Sequence, residues 1–291
     1  MTTAAVTMVW NDDFFLEVWR DYYAPRIGLE NLYVLNHGSS ASVRRLCEGA
    51  NVIDLPRDPQ DMDFDVKRWT LLSGLVNGLT GYFDTVLCGD VDELVVPTDP
   101  ALSLEDMLDA LPATANYCAA GFELFPSETP AATLLAGCAG ALFSTFYSKS
   151  CILRKSVNFF PGAHGLMGEA PGIAPDAVMF HLKLLNSAEN ARRNRERLDF
   201  AQAAFDASGQ DRDDWLAQGK PLATWLSANN RSRKEARKFR DTPELPWNEA
   251  LASARTQLEN LRVQNGDIHR FRRHPRTELR AALPSWMHAL I

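Results

Sequence analysis

From Thr3 to Cys88, short apolar runs alternate with stretches of helical period, and few architectures accommodate that alternation. Thr3 to Val9 is an apolar run, Asn11-Asp12-Asp13 is a helix-start signal, and Phe15, Val18, Trp19 and Tyr22 then recur at helical spacing. Pro25 and Gly28 end that helix, Asn31 to Asn36 reads as a second strand, and the turn-rich His37-Gly-Ser-Ser40 closes it. A third strand is expected over Val52 to Leu55. Trp69, Leu72, Val76 and Leu79 mark another amphipathic helix, which Gly81 stops before the buried strand Thr85 to Cys88. Strands interleaved with helices predict an α/β fold built on a mostly parallel sheet with helices on its faces. Beyond it, Ser103 caps a helix running to Leu111, and Tyr117–Phe122, Cys151–Lys155 and Ala177–His181 are further strand candidates. From Ser187 onward the texture turns polar and Arg-rich, with breaks near Gly209, Pro221, Pro243 and Pro246. This predicts a core domain over 1–185 and a helical C-terminal extension over 186–291 packed on it.

Asp-x-Asp triplets occur four times, at 61/63, 63/65, 90/92 and 211/213, but only one has an apolar setting. Asp90-Val91-Asp92-Glu93 follows the strand Thr85–Cys88 and precedes Leu94-Val95-Val96-Pro97, which puts its charges at the carboxyl end of a buried strand, where α/β sheets bind ligands. In extended backbone, residues two apart face the same way. Asp90 and Asp92 are therefore expected to share one Mn²⁺ or Mg²⁺, which would relieve their repulsion and act as a Lewis acid on a departing diphosphate. Asp61 to Asp65 lies in a Pro-containing polar stretch and reads as a loop.

With a net charge of −7, the chain lacks the basic field that general nucleic-acid binding needs. Charge is uneven, however: residues 181–240 carry 13 Lys and Arg against 8 Asp and Glu. That surface suits phosphates or anionic lipid, and a peripheral contact of the C-terminal basic helices with the inner face of a membrane is one expectation; a solvated helix face laced with ion pairs is the other. The segment Arg270 to Ile291, with Phe271, Trp286, Met287 and Leu290, is either such a surface helix or a tail docked on its own domain. The cysteines Cys47, Cys88, Cys118, Cys138 and Cys151 show no C-x-x-C spacing and read as reduced thiols of a cytoplasmic protein. Met1 to Trp10 lacks a basic n-region, and no apolar run reaches transmembrane length.

Trp10-Asn11-Asp12, Phe15 to Trp19 with Tyr22, Ile27-Gly28, Leu32 to Asn36 with Ser39-Ser40, and Asp84 to Glu93 together resemble the family 2-like glycosyltransferases of GT-A fold. The resemblance spans about residues 5–185, with Asp12 where that family usually has Glu. It implies transfer of a sugar, with inversion, from a nucleotide-diphosphate sugar to a carbohydrate or lipid-linked acceptor, with surface polysaccharide assembly as a setting. Asn11, Asp12 and Asn36 would hold the nucleotide. His181 would be a late metal ligand and Lys183 the partner of the departing phosphate. His164, flanked by glycines in Pro161-Gly-Ala-His-Gly165, is the alternative as a ligand or as a contact to sugar or acceptor.

Inverting transfer also needs a carboxylate base near the acceptor hydroxyl, for which Glu123 and Glu169 are the candidates. His37 is expected on a surface turn, and His269, His274 and His288 are expected to do no chemistry. Two other classes compete with this reading. One is a metal-dependent phosphohydrolase using the Asp90/Asp92 pair, although such a pair ordinarily sits on the first strand. The other is a protein that binds sugar nucleotides without turning them over.

Overall fold

Two hydrophobic layers sandwich the first strand, which is why all of its residues are buried. Along β1 (Thr3–Val9), Ala4, Val6 and Met8 pack with Trp69, Leu72, Val76 and Leu79 of one helix, while Ala5 and Val9 pack with Phe15, Leu16, Trp19 and Tyr22 of another. Side chains two apart on a strand share a face, so a continuous apolar run covered by an amphipathic helix on each side yields this three-layer arrangement. The computed structural model describes residues 2–58, 63–129, 131–208, 228–272 and 279–291. Asp61, the 211/213 triplet, the breaks at Gly209 and Pro221, and His274 lie outside the described residues.

After β1 come α1 (Asp13–Ile27), β2 (Leu32–His37), α2 (Ala41–Leu46), β3 (Asn51–Leu55), α3 (Phe64–Leu79) and β4 (Thr85–Cys88). Gly28 ends α1 at a φ of 89°, a conformation that favours glycine, and its N–H bonds the Ala24 carbonyl. Strands β3, β2, β1 and β4 lie side by side in that order and all run parallel. The α/β expectation for this half is met, with α1 on one face and α3 on the other.

The second half widens the sheet by antiparallel pairing. β5 (Glu93–Pro97), α4 (Leu104–Asp109), β6 (Tyr117–Pro126), β7 (Cys138–Phe143), β8 (Ser150–Leu153), β9 (Gly165–Met167) and β10 (Gly172–His181) follow. β8 pairs antiparallel to β4, β6 to β8, and β7 to β6; β10 runs parallel to β6 and antiparallel to β5. The chain continues through α5 (Ser187–Ser208), α6 (Ala228–Asp241), β11 (Glu244–Leu245), α7 (Trp247–Asn260), β12 (Arg262–Asn265), β13 (Ile268–Phe271) and β14 (Arg280–Ala281).

The C-terminal portion is thus not purely helical. β14 pairs with β7 and carries β11 at the edge of the main sheet, while β12, β13 and β9 form a separate three-stranded sheet. These strands are two to four residues long and show no alternating apolar pattern, so the sequence carries no period from which to read them. The final tail is no surface helix: Phe271, Leu279 and Met287 are buried in the main core, and Trp286 and Leu290 pack against it. Among the described residues, no helix is long and apolar enough to cross a membrane. All five cysteines are free, and burial pushes the thiols of Cys88 and Cys151 up to about 12.

Candidate functional site

At the carboxyl edge of the parallel strands, buried acids meet buried cations. The Asp-x-Asp segment is not extended as the sequence suggested. It forms a tight turn between β4 and β5, closed by Glu93 N–H to Asp90 O at 3.0 Å and by Asp90 N–H to the Glu93 carboxylate at 3.1 Å. Each acid consequently faces a different partner. Asp90 accepts from Arg68 of α3 through one oxygen and from Lys149 Nζ at 2.7 Å through the other. Lys149 also reaches Glu93 Oε1 at 2.7 Å. Asp92 accepts from Arg193 of α5 at 2.6 Å, and the same guanidinium holds Asp12 Oδ2 at 3.0 Å.

A second chain of contacts converges on Asp92 from β10. His181 Nδ1 lies 2.8 Å from Glu123 Oε1, and its Nε2 lies 3.6 Å from Asp92 Oδ2. The Tyr147 ring stacks on the imidazole at 3.7 Å between centroids, and Leu182 N–H bonds the Asp92 carbonyl at 2.8 Å. Gly121 makes this packing possible. A Cβ there would stand 2.2 Å from the Tyr147 backbone, so only glycine on β6 lets the Tyr147–Lys149 segment lie flat across the strand. Gly121 N–H donates to Ser148 Oγ at 2.9 Å and fixes that approach.

Burial disfavours ionisation of Asp90 and Asp92, but the adjoining cations outweigh it. Lys149 and Arg68 hold the Asp90 carboxyl well below the ordinary range, and Arg193 with His181 holds that of Asp92 below it. For Glu93 burial wins over Lys149 and its pKa is raised. Burial alone would lower the pKa of His181, yet Glu123 and Asp92 together raise it. The imidazolium therefore persists to higher pH than in a free histidine.

The residues singled out in the sequence separate into groups. Asp12, Asp90, Asp92, Glu123 and His181 come together in this cluster, and Asn11 borders it. The Asn11 side chain donates to Glu196 of α5, and its carbonyl accepts from Arg192 at 2.6 Å. Lys183, two residues beyond His181, is half-buried. Asn36 is consumed by local structure, donating to Asp54 Oδ1 at 2.7 Å and accepting from Ser40 N–H at 2.9 Å. His37 is buried and stacked on Phe64 rather than displayed on a turn. Glu169 sits at the surface, 72% exposed, on Lys155. His164 packs on Phe146 and borders a separate cavity.

Arg68, Lys149 and Arg193 escaped the sequence reading. Arg193 lies in the basic stretch beyond the expected core boundary, and Lys149 in a short polar loop without a motif. One signal was available for Arg193: Asn190, Arg193 and Asn194 stand three and four apart, and all three are buried on the inward face of α5. Buried polar residues at helical spacing mark a face built for something polar. The Asn194 Oδ1 on this face has no hydrogen-bond partner among the described residues. Trp10, exposed at the end of β1, has the Arg57 guanidinium 3.7 Å over its ring.

As the side chains stand, the donor set does not fit the Mn²⁺ or Mg²⁺ expected from the sequence. Both oxygens of Asp90 and the inward oxygen of Asp92 already accept from Arg68, Lys149 and Arg193. Among the described residues, no group of three His, Cys, Asp or Glu side chains is arranged to hold a metal ion. A divalent cation would have to displace protein cations to bind.

Fold and site together define an α/β protein whose charged residues gather at the carboxyl edge of its parallel strands. No protein-family model matches the chain, and no curated protein matches it. Among solved structures, the chain is similar to a mannose-1-phosphate geranyltransferase from Thermus thermophilus, at 16% identity and a TM-score of 0.28. That alignment covers 72% of this chain, which spans 66% of the other's length.

Proposed function

We propose that the chain is a transferase that moves a sugar from a nucleotide-diphosphate sugar to a hydroxyl of a carbohydrate or lipid-linked acceptor, at the carboxyl edge of β1, β2 and β4. One observation carries this reading: Arg193 of α5 bridges Asp12, just beyond β1, and Asp92, in the turn between β4 and β5, and is buried with both. A diphosphate arriving at these strand ends would compete with the carboxylates for Arg193, and a guanidinium is suited to bidentate capture of phosphate. Trp10, exposed beside Asn11, offers an aromatic face to a nucleobase, and Asn190 and Asn194 offer amides to the ribose or sugar hydroxyls.

In this reading the departing diphosphate is stabilised by Arg193 and by the imidazolium of His181, with Lys183 nearby, and no step is assigned to a metal ion. Fixed cations aimed at developing negative charge lower the barrier because they need no reorganisation at the moment of reaction. Glu123 acts through His181, whose Nδ1 it holds, and so serves as a positioning residue rather than the base. Glu169, on the surface with Lys155, is assigned no step in this reading: the acceptor oxygen bonds the anomeric carbon as the bond to the diphosphate breaks, and the hydroxyl proton is released to solvent.

The test is a thermal-shift screen of UDP-, GDP-, CMP- and dTDP-sugars with and without Mn²⁺, followed by sugar release from any that binds. Arg193→Ala is expected to cut the rate of release by about a hundredfold or more, the range for removing one transition-state contact. Release unchanged in that variant, or no stabilisation by any sugar nucleotide, defeats the reading. The closed ion network also favours a second reading, in which the protein binds a sugar nucleotide without turnover. Stabilisation with no release and no transfer would establish that one.

A further inference from the structure

A second concavity lies behind the charged cluster. It has a volume of about 290 Å³ and is enclosed between the start of β8 and the ribbon β12–β13 with β9. The register of the ribbon sets its wall. Arg262 pairs with Phe271 and Gln264 with His269, and directly opposed residues share a face, as do residues two apart on one strand. Arg262, Gln264, His269 and Phe271 therefore stand on one side of the ribbon, and Val263 and Arg270, which also border the cavity, on the other. The opposite wall brings Ser150 and the His164 ring, and no described residue lining the cavity is Asp or Glu.

Hydroxyl, amide, imidazole and guanidinium groups around the covered Phe271 offer hydrogen-bond donors and acceptors for a pyranose and its substituents. The guanidinium of Arg262 lies 5.5 Å over the Phe271 ring and donates to the Pro171 carbonyl at 2.7 Å, which fixes it at the rim. Its bidentate ion-pair partner, Glu259, is more than half exposed, so that pair is weakened by solvent, and an incoming anion would compete with Glu259 for the guanidinium. The volume falls at the small end of ligand pockets, about 300–1,000 Å³, enough for a monosaccharide with one anionic group and too little for a whole sugar nucleotide.

Its position ties this cavity to the site already described. Ser148 and Ser150 line it, while Lys149 between them extends to Asp90 and Glu93. His164 packs on Phe146, Phe146 meets Tyr147 edge-on, and Tyr147 stacks on His181.

We propose that this cavity is the acceptor subsite and takes a hexose bearing a phosphate or carboxylate, with Ser150 and Gln264 on its hydroxyls and Arg262 with His269 on the anionic group. The role as acceptor subsite rests on the glycosyl-transfer reading; the binding itself does not. Calorimetric titration of the full chain with glucose 6-phosphate, glucuronate and glucose, without any sugar nucleotide, tests it. At least one of the two anionic hexoses is expected to bind about tenfold or more tighter than glucose, and which of them does so separates phosphate from carboxylate recognition. His269→Glu and Arg262→Gln are each expected to weaken that binding about tenfold, with unchanged far-UV circular dichroism and an unchanged thermal-shift profile against UDP-, GDP-, CMP- and dTDP-sugars. Equal affinity for all three hexoses, binding unaffected by both variants, or no binding by the folded wild-type chain at millimolar hexose overturns the proposal. Hexose binding that persists while every sugar nucleotide fails to bind would leave the subsite standing and remove the transfer reading.

Discussion

Lys149 is the residue on which the site's electrostatics turn, because one buried ammonium serves two carboxylates, the half-buried Asp90 and the buried Glu93. Removing one partner of a buried pair leaves an uncompensated charge, which costs about 3–5 kcal/mol. Lys149→Met is therefore expected to lower unfolding stability by about that amount in urea denaturation. A loss below about 1 kcal/mol would mean that solvent already screens the pair. Arg193 has a different consequence. It occupies Asp92 and Asp12, so Arg193→Ala should raise the affinity for Mn²⁺ above that of the wild type, read by calorimetry; no gain would show that the acids are not held back by the guanidinium. His181 has its pKa raised in the folded state. Its contribution to stability is fully present below the unfolded value of about 6.5 and is lost as pH rises through the higher folded value. Asp90 and Asp92, with depressed values, contribute above about 3.9 and lose that contribution as pH falls through their lower folded values. Stability should thus decline as pH rises above about 6.5 in the wild type and decline less in His181→Gln. Parallel pH profiles for the two would exclude His181 as the titrating group. Of these residues, Asp90, Asp92 and His181 were legible because each stands beside a buried strand. Lys149 was not, since nothing near it in sequence shows that its neighbours lie across β6.

Among the elements, the pairing of β6 with the segment that leads into β8 is the one on which the site depends most directly. Gly121 admits the Tyr147–Ser148 backbone so closely that a methyl group there would overlap it, and the obstacle is main chain rather than a flexible side-chain end. Gly121→Ala should then cost about 3 kcal/mol, the upper end of ordinary overpacking, and should also displace Tyr147 from His181. Thermal unfolding together with the histidine ring resonances would register both effects; an unshifted imidazole signal in a folded variant would contradict the coupling. Elements whose apolar period is long were readable from sequence. β1 and β4 have the limits expected of them, and Ser103 caps α4 as expected, with Asp106 closing a capping box, although the helix ends at Asp109 rather than Leu111. β5, β7 and the short C-terminal strands were not, for two reasons. Gly89 and the acidic turn disguise β4 and β5 as one strand with a polar interruption, and strands of two to four residues are held by the sheet they join rather than by any pattern of their own.

At the scale of the molecule, the expected boundary at residue 185 meets a core that does not stop there. Trp247, Ala250, Leu251, Ala254 and Leu258 of α7 and Leu279, Ala281 and Met287 of the tail are buried in the same cluster as Phe15, Trp19 and Phe122. The Trp247 ring lies 5.3 Å from that of Phe122 and 6.1 Å from that of Phe180, on the two strands that deliver Glu123 and His181. The C-terminal portion therefore supports the floor of the site from one side, while α5 places Arg193 over it from the other. Burying a large apolar side chain contributes about 1.5–3 kcal/mol, and native domains are stable by only about 5–15 kcal/mol in all. A fragment ending at residue 185 would forgo the burial of five such side chains, Trp247, Leu251, Leu258, Leu279 and Met287, together with three alanines, and leave β7 without its β14 partner. It is expected to be largely unfolded or aggregated at room temperature, with poorly dispersed amide resonances, whereas Arg193→Ala in the full chain should remain folded. A well-dispersed spectrum from the fragment would mean that residues 1–185 form an independent domain, and that the shared core is a docking surface rather than a condition of folding.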